Sequence, residues 1–511
     1  MQTYERLSAM DRFFVDVESA SEHMHVAAVM LFESAPLLGA GDGVDCDRIR
    51  NYIASRLHLI PRYRQRLVHV PLTGQPVWVD DEHLNMHYHV RHTALPKPGD
   101  LGQLKRLAAR VMSQKLDRGK PLWELWMVEG VEGGRCALIS KTHHCMIDGV
   151  SGVDLMTVLF SISPEATHHD VPTWNPRVNP SRSRLLFDEA ARRVTQPLDL
   201  VTSGRRLIAD PSGACASVSD AVAGVRQSLG AGFAAASATP LNRPIGGHRR
   251  FDWVTFDLAR VKQVKRALGG TVNDVVLATV AAAIGKFLEL RGVSPRQQQE
   301  MDFRAFCPVS VRDPSERGTL GNRVSGMIAS LPIGERDPSV RMARVRETTE
   351  RLKSSKQALG AEVLAAVSEW TLPTLLTLAA RLATRSRAYN LIVTNVPGPQ
   401  IPVYLLGARL LEAFPLVPLF SNQALGIALF SYDGKLCWGF NADWDLMPDL
   451  RDFVSAMHAA FEELVAAATW CEATTESTTR FAAAVDSATS RASAADEVGL
   501  LGATERFRRR E

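Results

Sequence analysis

Short apolar runs separated by polar links dominate the first third of the chain. Residues 26–32, Val-Ala-Ala-Val-Met-Leu-Phe, are apolar throughout and bounded by polar residues, which predicts a buried strand. Residues 122–128 and 136–140 predict two more, and the polar link between them carries Gly133-Gly134, as a hairpin turn would. Residues 106–116 suit a helix. From Pro164 the pattern changes: Pro164, Pro172, Pro176 and Pro180 fall in a polar stretch with Ser181 and Ser183, which marks a crossover, followed by helical patches at 185–207 and 218–238. A second unit opens near Arg249 with a strand at 251–258 and a helix at 274–290, whose Val276, Val280, Ala283, Phe287 and Leu290 share one face. Strands return at 306–311, 391–396, 425–430 and 436–440, before a helix at 450–468. The Ala/Ser/Thr-rich remainder ends Arg506-Phe507-Arg508-Arg509-Arg510 and is expected to be a mobile tail. The expected division is 1–163, a first mixed domain; 164–248, a crossover with helices; 249–470, a second mixed domain; and 471–511, the tail. The fold class is mixed α/β.

Composition narrows the classes. With 46% hydrophobic and 22% charged residues over 511, a sizeable core is available. The net charge of +4, from 59 Lys and Arg against 55 Asp and Glu, is far from the cationic excess of a nucleic-acid binder. A mean hydropathy of −0.06 argues against a multi-span membrane protein. Apolar stretches are interrupted by Glu362, Glu369, Pro373, Arg409 and Glu412 before they reach the length of a span. The start, Met1 to Arg6, lacks the basic end and apolar core of a secretory signal. Seven cysteines without a CxxC pair suit a reducing cytoplasm.

Several familiar sites are absent. Gly149-Val150-Ser151-Gly152 is not G-x-S-x-G, Gly285-Lys286 has Val280 where a P-loop needs glycine, and Gly39-Ala40-Gly41-Asp42-Gly43 is not G-x-G-x-x-G. The outstanding group is His143-His144-Cys145-Met146-Ile147-Asp148-Gly149. It falls where a strand ends and a helix begins, since Ser151 with Asp154 forms a capping-box pattern ahead of Val153, Met156, Leu159 and Phe160. Adjacent strand residues point to opposite faces, which puts His144 with Leu138, Ser140 and Thr142 and His143 on the other side. The two histidines therefore do not share one metal, and a site from His144 and Asp148 would need a helix and further ligands; no metal is expected. A neutral imidazole is available near pH 7 to accept a proton. Asp148 is placed to fix a tautomer or to pair with an arginine. His168-His169-Asp170, in the proline-rich crossover, reads as loop composition.

HHxxxDG is the signature of the coenzyme A-dependent acyltransferase superfamily, which includes chloramphenicol acetyltransferase and peptide-synthetase condensation domains. The chain resembles more closely the bacterial wax ester synthase/diacylglycerol acyltransferases. The segment from Leu7-Ser8-Ala9-Met10-Asp11 to Met24-His25-Val26 is similar to that family's opening. Pro121-Leu122-Trp123, Thr271-Val272-Asn273-Asp274, Asn395-Val396-Pro397-Gly398-Pro399 and Asn441-Ala442-Asp443-Trp444 match further blocks, in family order.

The resemblance implies two chloramphenicol-acetyltransferase-like domains joined by a long crossover, with the active-site channel between them. His144 would be the general base that takes the proton of an alcohol as it attacks an acyl-CoA thioester, without an acyl-enzyme. His143 and Gly149 complete the motif, and Asp148 would be a structural aspartate paired with Arg64 or Arg312; both arginines are equally open to contact with solvent or coenzyme A phosphates. Asn273 has two readings, a helix N-cap and an oxyanion donor. Trp123 and Trp126 are expected to pack a strand, and Asn395, Pro397 and Gly398 to form a turn bordering the channel. Acyl-CoA would be a co-substrate, with no resident cofactor. The acceptors would be diacylglycerol, giving triacylglycerol, and long-chain alcohols, giving wax esters.

The apolar stretch 363–380 reads either as a buried helix pair broken at Pro373 or as an acyl-tunnel wall or lipid-facing surface. Because these lipids are water-insoluble, peripheral contact with the inner membrane face or a lipid droplet is expected, helped by Arg62, Arg64, Arg66 and the basic tail. A carrier-protein acyl donor, a non-catalytic lipid-surface protein and, weakest, a metalloprotein remain as rivals.

Overall fold

The computed structural model describes residues 3–41, 43–146, 158–165, 171–192, 235–310, 324–354 and 387–474. Two six-stranded sheets organise it. The first runs in the order Tyr404–Leu405, Ala408–Leu416, His25–Glu33, Arg135–His143, Trp123–Val131, Val90–Ala94. Its neighbours are antiparallel except the outermost pair, Val90–Ala94 beside Trp123–Val131. The second runs Val324–Leu331, Phe303–Ser310, Leu391–Pro397, Leu425–Tyr432, Lys435–Asp443, Arg249–Asp257, with Leu391–Pro397 parallel to both neighbours. A small sheet of Glu5–Arg6, Pro76–Asp80 and Gln65–His69 stands apart.

The continuous apolar runs all become central strands, as expected of segments buried on both faces. The hairpin between Trp123–Val131 and Arg135–His143 turns through Gly133 and Gly134, at φ of 77° and 65°. The expected helix at 106–116 lies earlier, at Leu101–Met112, because Asp100 and Gln103 form a capping box that starts it. The buried Lys141 ammonium closes its C-terminal end, donating to the carbonyls of Val111 (3.0 Å) and Gln114 (2.7 Å).

Helix Val272–Leu290 is buried more broadly than one face: every residue from 274 to 285 is buried, whereas Leu290 is 69% exposed at its last turn. It shares one core cluster with the second sheet and the C-terminal helix, where Phe287 meets Phe453 edge-on at 5.5 Å. That helix runs from 450 through 474. Residues 182–192 are helical, 235–238 are not, and 193–234, the stretch 363–380 and residues 475–511 lie outside the described residues.

The strand Ala408–Leu416, which carries Arg409 and Glu412, was not among the strands that the sequence pattern predicted. Alternation turns both out of the core, while Ala408, Leu410, Ala413, Phe414 and Leu416 are buried, with an irregularity between Leu410 and Glu412 absorbing the mismatch. Although it comes from the second half of the chain, it pairs with His25–Glu33 from Leu410↔Phe32 to Leu416↔Ala27 and so completes the first sheet. The two halves are thereby interlocked. Phe414 stacks on Trp253 at 4.7 Å, within a cluster shared with Val29, Leu31, Leu104 and Ala108.

Start of the crossover lies on the small sheet. Leu185 joins Tyr4, Val70, Val77 and Val79, and the Arg177 guanidinium donates to Asp80 (2.8 Å) and Glu5 (3.4 Å).

Candidate functional site

The site is built at the end of strand Arg135–His143. His143 is its last residue, paired across the ladder with His25, and its N–H donates to the Leu122 carbonyl at 2.9 Å. The chain then leaves the strand: the His144 N–H donates to the Met24 carbonyl at 2.7 Å, and a 3-10 turn covers His144–Met146. The expected alternation of faces therefore ends at His143, and His144 is directed by the turn. Its ring stacks on Phe14, centroids 3.8 Å apart with the planes at 19°. Phe14 is carried by helix Ala9–Val17, which starts where the Ser8 side chain accepts the Asp11 N–H at 3.1 Å. Phe13 and Phe14 pack into a cluster of Val17, Met24, Ile392 and Phe420 with Phe306 and Tyr389. These residues belong to both halves, so His144 stands at their junction.

Burial pushes the His144 imidazole down to about 4, partly opposed by contact with its own main chain. The residue is partly exposed, yet Nδ1 is buried without a hydrogen-bond partner among the described residues. The ring is neutral at pH 7, with Nε2 as its remaining polar atom. A depressed pKa means that the proton binds only at low pH, so the imidazole stays able to accept a proton below the usual histidine value of 6.5. The expected pH profile of kcat/KM is flat from pH 8 down through 6, with the acid limb displaced toward about 4. A limb centred between 6 and 7 would show that the imidazole is not held in this environment.

His143 lies beneath the turn and is engaged differently. Its Nδ1 accepts the Cys145 N–H at 3.2 Å and lies 2.9 Å from the Cys145 Sγ. Its Nε2 is 3.7 Å from Oε1 of Glu18, and the His25 Nε2 is 3.5 Å from the same oxygen. The other carboxylate oxygen, Oε2, accepts from Arg118 Nε (2.9 Å) and Nη2 (2.7 Å). Burial alone would raise the Glu18 carboxyl; the edges of His25 and His143 together with Arg118 outweigh it and hold it down to about 2. Burial likewise lowers His143 to about 3 and His25 to about 4. Sequence reasoning did not single out Glu18 or Arg118. The available signal was the family-like opening, whose span from Leu7 to Val26 encloses Glu18.

The remaining expected residues are distributed as follows. Asn273 is not the helix cap: Thr271 is, its side chain accepting the Asp274 N–H at 3.3 Å while Asp274 Oδ2 accepts the Thr271 N–H at 2.7 Å. The displacement frees the exposed Asn273 side chain, whose Oδ1 accepts from Asn395 Nδ2 at 2.8 Å. Gly398 is held by the approach of its loop to strand Leu425–Tyr432: a Cβ there would lie 2.4 Å from the Ser431 carbonyl oxygen and 2.3 Å from the Phe430 ring. Arg64 is buried with its guanidinium 5.0 Å from the Trp174 ring centroid; burial lowers its pKa and Asp80 opposes the shift. Trp123 packs as expected, donating to the Tyr63 carbonyl at 2.8 Å and stacking on His89 at 4.5 Å. Trp126 donates to Glu124 at 3.0 Å. Asp148, Gly149, the Ser151 and Asp154 capping pattern and Arg312 lie outside the described residues.

The structure thus brings together His143, His144, Phe14 and Glu18 in one group and Asn273 with Asn395 in another.

Comparison with known proteins identifies the family. Residues 7–276 match the wax ester synthase/diacylglycerol acyltransferase catalytic domain, and residues 320–465 match the WS/DGAT C-terminal domain. A putative diacylglycerol O-acyltransferase of Mycobacterium tuberculosis is 32% identical over 474 residues, covering 90% of each chain. A probable diacylglycerol O-acyltransferase of the same organism is 31% identical over 466 residues, covering 90% of this chain and 96% of its own. Among solved structures, the wax ester synthase/diacylglycerol acyltransferase of Marinobacter aquaeolei superposes with a TM-score of 0.63 at 27% identity, covering 91% of this chain and 100% of that one. The starter condensation domain of a rhizomide synthetase shares the fold, with a TM-score of 0.55 at 13% identity over 91% of this chain and 95% of its own.

Proposed function

Because the chain belongs to the wax ester synthase/diacylglycerol acyltransferase family, we propose that it transfers a long-chain acyl group from acyl-CoA to the free hydroxyl of diacylglycerol, with long-chain alcohols as a second class of acceptor. The observation that carries this reading is a neutral imidazole, His144, stacked on Phe14 at the junction of the two halves. With Nδ1 buried, Nε2 receives the hydroxyl proton as the alcohol oxygen attacks the thioester carbonyl. The tetrahedral intermediate collapses with cleavage of the C–S bond, and the imidazolium returns its proton to the departing thiolate. Ester and coenzyme A leave, and the enzyme is unchanged.

Asn273 would assist from the other half. Its Oδ1 is engaged by Asn395, which leaves the amide N–H groups to donate toward the oxyanion. In the same reading the protein works from the cytoplasm at a membrane or lipid-droplet surface, because the acceptors and products partition there. No single helix among the described residues is long and apolar enough to cross a membrane.

The test offers palmitoyl-CoA with equal amounts of dioleoylglycerol and hexadecanol and identifies the products by mass. Triacylglycerol as the main ester is the expected result. Esters formed only when palmitoyl-carrier protein replaces palmitoyl-CoA would overturn the donor. Lipid binding without ester or free thiol would favour a non-catalytic role.

A further inference from the structure

Three buried polar side chains and a partly exposed arginine beneath the active-site turn have no part in the transfer step, and they come from four places in the chain. Glu18 follows helix Ala9–Val17 as its C-cap residue, His25 opens strand His25–Glu33, His143 closes strand Arg135–His143, and Arg118 lies in the loop after helix Leu101–Met112. The Glu18, His25 and His143 side chains are at most 3% exposed. Arg118 braces this group: besides gripping Glu18 Oε2 through two nitrogens, it donates to the Val15 carbonyl at 2.8 Å, in the last turn of the helix that presents Phe14.

Hydrogen-bond polarity fixes the rest. A main-chain N–H only donates, so the Cys145 N–H makes His143 Nδ1 an acceptor. A neutral His143 then carries its proton on Nε2, the nitrogen that faces Glu18 Oε1. The His25 Nε2 faces the same oxygen at 3.5 Å and also receives the Leu116 N–H at 3.4 Å. Neither Glu18 Oε1 nor His143 Nε2 has a hydrogen-bond partner among the described residues; Oε1 lies between His25 Nε2, at 3.5 Å, and His143 Nε2, at 3.7 Å.

We propose that Glu18, braced by Arg118, is a positioning residue for His144: it holds His143 in the Nε2–H tautomer, which lets Nδ1 take the Cys145 N–H and sets the turn by which His144 leaves the strand. The same carboxylate, through Arg118, anchors the helix whose Phe14 covers the His144 ring. Both faces of the base are thus referred to one buried group. The inference rests on His144 being the base, but its structural core does not depend on activity.

Glu18→Gln tests it because no orientation of a carboxamide satisfies the site. Arg118 donates twice to one oxygen, so the amide carbonyl must face Arg118 and its NH2 must face His143 Nε2. Two donors then oppose each other, or the His143 proton moves to Nδ1 and opposes the Cys145 N–H. The expected result is a fall in kcat of about 10- to 100-fold, the size of effect that a small misplacement of a catalytic group produces, with the KM for palmitoyl-CoA within about twofold. Imidazole 15N spectra of the full chain, assigned with His143→Gln, are expected to show His143 as Nε2–H in the wild type and to lose that signature in Glu18→Gln. An unchanged kcat in a folded Glu18→Gln overturns the proposal. So does a wild-type His143 protonated on Nδ1, a measurement that holds even if the variant does not fold. An inactive wild type with the expected tautomer would contradict the proposed function and leave the hold of Glu18 on the turn intact.

Discussion

Replacing His144 with alanine is expected to lower kcat by about 10²- to 10⁴-fold, the span that general-base assistance contributes. KM for acyl-CoA should change little, because in the proposed mechanism the imidazole acts on the proton of the attacking hydroxyl and not on the bound thioester. The loss should persist as the pH is raised. A hydroxide-assisted route would appear as a residual rate rising with pH in His144→Ala, against the plateau of the wild type. His143→Ala makes a useful contrast. It removes the acceptor for the Cys145 N–H and leaves Glu18 facing a cavity, so part of its effect should appear as lower thermal stability, whereas His144→Ala leaves only Phe14 without its stacking partner. Steady-state kinetics beside thermal melts of both variants separate the two roles.

The largest effect on the fold is expected at Gly439. This residue sits in strand Lys435–Asp443, inside the second sheet, where strand Ala408–Leu416 crosses on its way into the first. A Cβ at Gly439 would lie 1.9 Å from the Pro415 carbonyl oxygen, a contact that only backbone movement could relieve. Because Pro415 belongs to the strand that interlocks the halves, the displacement would pass to the ladder with His25–Glu33 and so to the strand that carries His25 and neighbours His143. Gly439→Ala is expected to cost about 3 kcal/mol or more, at the upper end of overpacking substitutions, and to reduce activity with stability. Gly41→Ala, where a Cβ meets nothing within 4 Å, is the control and should stay within about 0.5 kcal/mol of the wild type. Urea unfolding of the two variants measures both.

Acid should weaken the fold for a related reason. His25, His143 and His144 are held neutral with folded pKa values near 4, 3 and 4, below the ordinary 6.5, and Glu18 is held ionised down to about 2, below its ordinary 4.5. In each case the unfolded chain binds more protons between the two values. Stability therefore falls as the pH drops below about 6.5 and continues to fall through the carboxylate range. The acid limb of the activity profile has to be read at pH values where melts show the protein folded.

How much of this was legible in the sequence depended on how local each feature is. Continuous apolar runs such as 26–32 and 136–140 identified the strands that flank the site, because a strand buried on both faces needs no partner to be recognised. Strand Ala408–Leu416 was not identified, since the irregularity between Leu410 and Glu412 breaks the simple alternation of buried and outward residues. Val324–Leu331, with its small and polar residues, offered little apolar signal of its own. The helix at 272–290 was recognisable by composition, but its start was misplaced: the Thr271-x-x-Asp274 capping box was present in the sequence and outranks Asn273 as the cap.

The site divides in the same way. HHxxxDG, Asn273 and Asn395 were identifiable as motifs. That Asn395 donates to Asn273 could not be read, because 122 positions separate them and the meeting depends on the fold. Glu18 and Arg118 are 100 positions apart and belong to no periodic pattern; only the folded chain brings them under the turn. The geometry of His144 itself was half legible: a strand end was expected, but the 3-10 turn that takes the residue off the strand face depends on the Met24 carbonyl and the Cys145 N–H.

In the proposed function acyl-CoA is cleaved by an acceptor hydroxyl with His144 as base. The most direct test follows free coenzyme A from palmitoyl-CoA with and without dioleoylglycerol, in the wild type and in His144→Ala, and counts triacylglycerol formed for each thiol released. The expected result is release that depends on the acceptor, one ester per coenzyme A, and a rate at least about 10² lower in the variant. Release that ignores the acceptor, or that His144→Ala matches, would contradict it.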